Sequence, residues 1–229
     1  MTTPSMEWGR HDWTGTAADF LAMELPPERA MWWCQVDAPT LILGSTQSAD
    51  DVNQNTAVEC DVSVTRRRSG GGAVFVHPAD SVWIDITISR DDPLWKDDVS
   101  ESMLWLGECF VAALSPWVHA EVYRDSFSTE TDGRVVCFAS SSPGEVFVGQ
   151  NKLVGISQRR GRDGARFQCV LYRQWKPGEW SSILASVDVQ SRVPEIAVAT
   201  LDIEPLDLVH AIHEHLSSLG GEQSGEIWG

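Results

Sequence analysis

Basic charge is scarce in this chain beside acidic charge. Lys and Arg number 17 against 33 Asp and Glu, for a formal net charge of −16. Most of such a surface repels a phosphate backbone, so nucleic-acid binding is excluded as a main role. No apolar run approaches the ~20 residues that a membrane span needs. The first ten residues lack the basic and apolar regions of a secretory signal, which points to a cytoplasmic protein. The five cysteines, at 34, 60, 109, 137 and 169, are odd in number and show no Cys-x-x-Cys spacing. Neither a disulfide framework nor a zinc ribbon fits them. Reduced thiols are expected, one of them available for chemistry. Repeats, low-complexity tracts, linkers and a Gly-x-Ser-x-Gly hydrolase elbow are absent as well.

What the chain does have is a concentrated basic island. Of the 17 basic residues, eight lie in two stretches: Arg66, Arg67 and Arg68 in the first, and Lys152, Arg159, Arg160, Arg162 and Arg166 in the second. The first runs Arg66-Arg67-Arg68-Ser69-Gly70-Gly71-Gly72-Ala73-Val74-Phe75-Val76-His77, a basic glycine-rich turn feeding a strand. Three glycines in a row let backbone N–H groups come close to a ligand that any Cβ would hold away. The second places Lys152 at the start of a strand, where an ammonium can meet a carboxylate, a phosphate or a polarised carbonyl. Two solvated strand ends would give the same pattern. A site for an activated acyl group is the functional alternative.

At 229 residues the chain can bury a sizeable core, and residues 1–229 are expected to form a single domain. Thr16 to Leu25 has helical spacing and stops at Pro26-Pro27. Met31 to Val36 and Thr40 to Leu43 read as a hairpin, and Ser48 to Asn55 as a short helix. Val62 to Arg66, Gly72 to His77 and Val82 to Ser89 read as strands. In the last, Val82, Ile84, Ile86 and Ile88 alternate with Trp83, Asp85 and Thr87, so one face is expected to be buried. Ser100 to Ser115 is the clearest helix. Strands follow at Val118 to Tyr123, Val135 to Phe138, Glu145 to Val148, Leu153 to Arg159 and Ala165 to Tyr172. Helices at Trp175 to Ala185 and Leu206 to Leu219 complete the pattern. Without strict βα alternation this is an α+β fold, with mixed or antiparallel sheets and flanking helices.

The glycine-rich stretch, followed by Cys137-Phe138 and by Gln150-Asn151-Lys152-Leu153-Val154-Gly155-Ile156-Ser157, resembles the catalytic domain of lipoate–protein ligases and octanoyltransferases, which is related to that of biotin–protein ligases. Gly44-Ser45-Thr46-Gln47 is similar to an early Gly-x-x-Gln turn of that family. The resemblance is strongest over residues 40–172. It implies a fold of the class II aminoacyl-tRNA synthetase and biotin-ligase type. Position by position, it implies that Lys152 contacts the acyl carbonyl as a fixed cation where negative charge develops. Arg68, Ser69, Gly70, Gly71 and Gly72 would wall the acyl or lipoyl tail, and His77 would close that strand. Gly155 and Ser157 would be the small residues that leave the ligand room.

Cys137 decides the reaction branch. Some octanoyltransferases and lipoyl amidotransferases of this family carry a Cys-Phe loop shortly before the lysine, and its cysteine takes the acyl group as a thioester. The resemblance then implies an acyltransferase that needs no cofactor. It would move an octanoyl or lipoyl group, with acyl carrier protein as a possible donor, onto a lysine of a lipoyl domain. Its acceptors would be lipoyl domains of 2-oxoacid dehydrogenases or the glycine cleavage H protein. One alternative is an ATP- and Mg-dependent lipoate ligase, in which Lys152 stabilises an acyl-adenylate. Gly144-Glu145, where ligases show Asn-Asp, and the shortness of the chain after Tyr172 lean away from that reading. A second alternative is a non-catalytic binder of an acyl or lipoyl ligand. Gln168-Cys169-Val170, standing where the family commonly has Gln-His-Gly, is its support. His210, His213 and His215 lie on the last helix without a partner carboxylate–histidine motif, so no metal site is expected.

Overall fold

The strands form two facing sheets, and helices cover the outer face of each. The computed structural model describes residues 7–129 and 134–219. In chain order the first half holds β1 (Gly9–Gly15), α1 (Ala17–Ala22), β2 (Ala30–Val36), β3 (Thr40–Leu43), α2 (Gln54–Glu59), β4 (Ser63–Arg66), β5 (Val74–Val76), β6 (Ser81–Ser89) and α3 (Leu104–Leu114). The second half holds β7 (Glu121–Val122), β8 (Ser128–Thr129), β9 (Ser140–Ser141), β10 (Val146–Val148), β11 (Asn151–Arg160), β12 (Gly164–Tyr172), α4 (Val187–Arg192) and α5 (Pro205–Ser218). The larger sheet has the order β1-β2-β6-β12-β11-β10-β7, with β1 parallel to β2 and every other pair antiparallel. The smaller sheet has the order β4-β3-β5. The pair β8–β9 stands apart from both.

Alternation along β6 explains how the layers stack. Val82, Ile84, Ile86 and Ile88 point to the main core, where they meet Leu106, Phe110 and Leu114 of α3 and Leu208 and Ile212 of α5. Burying each such side chain contributes about 1.5–3 kcal/mol. The opposite face of β6 is buried as well, although a single buried face was expected. The smaller sheet covers it, and Trp83 packs there with Ile42, Val74 and Val76. Asp85 survives full burial on that face because the Trp83 Nε1–H (2.6 Å) and the Arg166 guanidinium (2.5 Å) hold its two oxygens. Leu41, Leu43 and Phe75 point away from the large sheet into a second core with Trp180, Ile183 and Val193.

Several expected elements differ in the structure. Met31–Val36 and Thr40–Leu43 do not form a hairpin. β2 pairs with β1, a strand whose sequence lacks apolar alternation, and β3 enters the other sheet. The Ser48 to Asn55 helix splits into a 3-10 turn at Ala49–Asp51, capped by Ser48, and α2, capped by the Asn53 side chain. Trp175 to Ala185 forms two 3-10 turns rather than an α-helix, because Pro177 and Gly178 interrupt it. Val135 to Phe138 keeps only a bridge from Val136 to Ala73 and then turns at Cys137–Ala139.

Candidate active site

The two sheets leave a small cleft between them. Ile42 and Val74 line it from the smaller sheet, and Trp83, Gly155, Ser157, Gln168 and Val170 from the larger. Arg67 and the Cys137–Phe138 turn complete its wall. Register places these residues together, since Gly155 lies opposite Val170, Ser157 opposite Gln168, and Val170 opposite Trp83. The cleft is mainly apolar with a few convergent polar groups, as small-molecule sites are.

The glycine loop holds the Cys137 turn directly. Ala73 donates to the Val135 carbonyl (2.7 Å) and Cys137 N–H to the Ala73 carbonyl (2.8 Å). A Cβ on Gly72 would meet the Val136 and Cys137 backbone at 2.7–2.8 Å, so only glycine allows this approach. Gly44 is required in the same way, because a Cβ there would stand 1.8 Å from the Gly71 carbonyl oxygen. Gln47 braces the assembly, accepting from Gly44 N–H (2.9 Å) and donating to the Val135 carbonyl (3.1 Å).

Lys152 lies behind this wall. Its ammonium sits 2.8 Å from each oxygen of Glu145 and donates to the Cys137 carbonyl at 3.0 Å. The Phe138 ring lies 5.4 Å from it. Lys152 and Glu145 are both fully buried. Glu145 also accepts from the Ser142 N–H (2.8 Å) and the Ile156 N–H (3.4 Å). Burial pushes the Glu145 carboxyl above the ordinary carboxylate range, and Lys152 opposes that shift.

Of the other residues singled out in the sequence, Ser69 and Ser157 come together at 3.1 Å. Ser69 donates its one hydroxyl proton to Gln168 Oε1 at 2.7 Å, so Ser157 is the donor in the Ser69–Ser157 bond. Gln168 continues the network to Asp85. Gly155 faces the Phe138 ring, and Gly70 and Gly72 offer their carbonyls to Arg67. Gly71 takes a positive φ of 94° in the same loop. Arg68 stands outside the cleft, half-exposed, where it and Arg159 share Glu24. Those two guanidiniums hold the Glu24 carboxyl below its usual value, chiefly through the Arg68 hydrogen bond.

His77 is also remote from the cleft. It lines a separate cavity with Pro78 and Ser81 and approaches Asp80 at 3.3 Å. His77, Asp80 and Glu179 form a group of metal-ligand type, but Lys176 contacts both Asp80 oxygens at 2.9–3.0 Å. His213 meets the Trp8 carbonyl. Cys169 faces the main core, where burial pushes its thiol up.

In the sequence Arg67 stands out only as one of the basic island, and Glu145 only as a departure from the ligases' Asn-Asp. In extended backbone alternate residues point to opposite sides, so the middle arginine of three is the one that turns inward. A carboxylate seven residues before a lysine carried no comparable signal.

Residues 18–217 match the lipoyl protein ligase A/B catalytic domain, and the chain belongs to that family. No curated protein sequence matches it. Many solved structures share its fold, three of which show the likeness. A Thermoplasma acidophilum protein assigned as a lipoate protein ligase, holding lipoic acid, superposes with a TM-score of 0.69 at 17% identity, over 92% of this chain and 84% of its own. A lipoate-protein ligase A bound with ATP gives 0.69 at 15% identity, over 93% and 85%. A bipartite lipoate protein ligase from Thermoplasma acidophilum, studied with its E2 lipoyl domain, gives 0.68 at 16% identity, over 93% and 83%. Membership makes attachment of lipoyl-type groups to proteins the broad function. Among the described residues no helix is long and apolar enough to cross a membrane.

Proposed function

We propose that the chain is an acyltransferase that moves an octanoyl or lipoyl group onto a lipoyl-domain lysine through a thioester on Cys137. The observation that carries this reading is the place of Cys137. It lies on the wall of a cleft that Arg67, Gly155 and Ser157 also line, with its backbone hydrogen-bonded at both N–H and carbonyl. A thiolate attacks one thioester and leaves from the next at similar energy, which suits transfer without ATP. The engagement of Lys152 also favours it. An adenylate-forming ligase asks that lysine to meet a phosphate, and here three protein oxygens lie within 3.0 Å of an ammonium with three N–H groups. On this reading Lys152 positions Cys137 by holding its carbonyl.

The acceptors are lipoyl domains of 2-oxoacid dehydrogenases or the glycine cleavage H protein. The lipoyl domain studied with the Thermoplasma ligase supports that choice. Acyl carrier protein is the donor. The test is intact-protein mass spectrometry after incubation with octanoyl-acyl carrier protein. A hydroxylamine-labile octanoyl adduct on the wild type, absent from Cys137→Ser, is expected. Lipoylation of a lipoyl domain by Cys137→Ser with ATP and lipoate would overturn the reading in favour of a ligase.

A further inference from the structure

The Arg67 guanidinium is buried at 4% exposure and forms part of the same cleft wall as Cys137. Its Nη1 and Nη2 atoms donate to the carbonyls of Ile42 (3.2 Å), Gly70 (2.7 Å) and Gly72 (2.8 Å). Its Nε–H is buried and finds no acceptor among the described residues. A buried donor without an acceptor costs about 1–3 kcal/mol, so this N–H calls for a partner that a water or a ligand in the cleft can supply. No carboxylate among the described residues pairs with this cation. Burial pulls it below the usual arginine range. Lys152, by contrast, is neutralised by Glu145.

We propose that Arg67 is a catalytic residue, supplying the positive charge that meets the acyl oxygen during transfer. The inference rests on the Cys137 thioester reading. In the first step the Cys137 sulfur forms a bond to the donor's carbonyl carbon, and the C=O π pair moves onto oxygen. Collapse of that oxyanion breaks the donor's C–S bond, and the departing thiolate takes up the proton that left Cys137. In the second step the acceptor amine adds to the same carbon and the Cys137 thiolate leaves. The proton lost by the amine returns to sulfur. Both oxyanions form in a cleft walled by Arg67, where a fixed charge needs little reorganisation.

The deciding measurement uses the wild-type protein. Its Arg67 Nε–H resonance is followed by NMR before and after octanoylation, with the adduct confirmed by mass. A displaced resonance, with a carbonyl stretch in ¹³C-octanoyl enzyme lower than that of a free octanoyl thioester, is expected. Arg67→Lys should slow octanoylation by roughly 100-fold or more, the usual effect of losing one such donor. It should also return the carbonyl stretch towards the free value, which a merely structural arginine would not do. An adduct with an unmoved Nε–H and an unshifted stretch overturns the role of Arg67 alone. Failure of the wild type to form any adduct overturns the thioester reading and this inference with it. If Arg67→Lys does not fold, the wild-type spectra decide.

Discussion

Glu145 grips Lys152 with both carboxylate oxygens at 2.8 Å, and the same ammonium holds the Cys137 carbonyl at 3.0 Å. A carboxylate in the loop before β10 thereby fixes the turn that carries the proposed nucleophile. The pair is wholly enclosed, so its two members depend on each other.

That dependence sets the first prediction. Glu145→Ala should destabilise the protein by about 3–5 kcal/mol in denaturant unfolding, because it strands a buried ammonium. The double change Glu145→Leu with Lys152→Met should recover most of that loss, since a well-packed apolar pair avoids the desolvation cost. Octanoylation of Cys137 should stay low in the stable double variant, which has lost the anchor of the turn. Full activity in that variant would show that the ion pair serves stability alone.

Ser69 is the hub of the polar chain on the cleft wall. Ser69→Ala removes the donor to Gln168 Oε1 and the acceptor for the Ser157 hydroxyl together. The expected cost is roughly 1–3 kcal/mol, the penalty for buried groups left unmatched. Ser157→Ala removes only the end of the chain and should cost less, about 0.5–1.5 kcal/mol. Equilibrium unfolding of the two variants gives the order, and a reversed order would contradict the hydrogen-bond direction assigned here.

How much of this was legible in the sequence depends on how local the signal is. β6 was readable because its side chains alternate from Val82 to Ile88, and α5 because of its apolar stripe. β1 was not, since Gly9, Arg10, His11 and Asp12 take strand form through pairing with β2 rather than through pattern. In the site, the glycine loop announces itself by composition, and Cys137 by its likeness to the family's Cys-Phe loop. Glu145 and Arg67 do not. Their roles arise from burial against partners that only the fold supplies, and no spacing rule marks a carboxylate that will face a lysine across a β-bulge. Arg68 shows the converse, for it sits inside the motif yet its side chain turns outward to Glu24.

Thiol reactivity offers a pH-sensitive check. Burial pushes Cys109 up to about 12 and raises Cys34 and Cys169 as well. A raised thiol pKa lowers the thiolate fraction at any given pH, and the thiolate is the reacting form. Brief iodoacetamide treatment of native protein near pH ~8 should therefore label the exposed Cys60 and the half-buried Cys137 and spare the other three. Peptide mass mapping reads the result. Rapid native labelling of Cys169 would contradict its place in the core.

The cleft's capacity rests on Gly155. A Cβ there would approach the Phe138 ring at 3.0–3.2 Å, and Val170 already fills the position opposite. Gly155→Val places two further methyl groups against that ring and should narrow the acyl channel. The strain should cost about 1–3 kcal/mol of stability, as overpacking usually does. Octanoyl transfer should fall by more than ~10-fold, since even a single methylene in a fitted pocket discriminates at that level. Iodoacetamide, being small, should still label Cys137, which separates a blocked channel from a displaced turn. Transfer at the wild-type rate would mean that the acyl chain runs along another wall of the cleft.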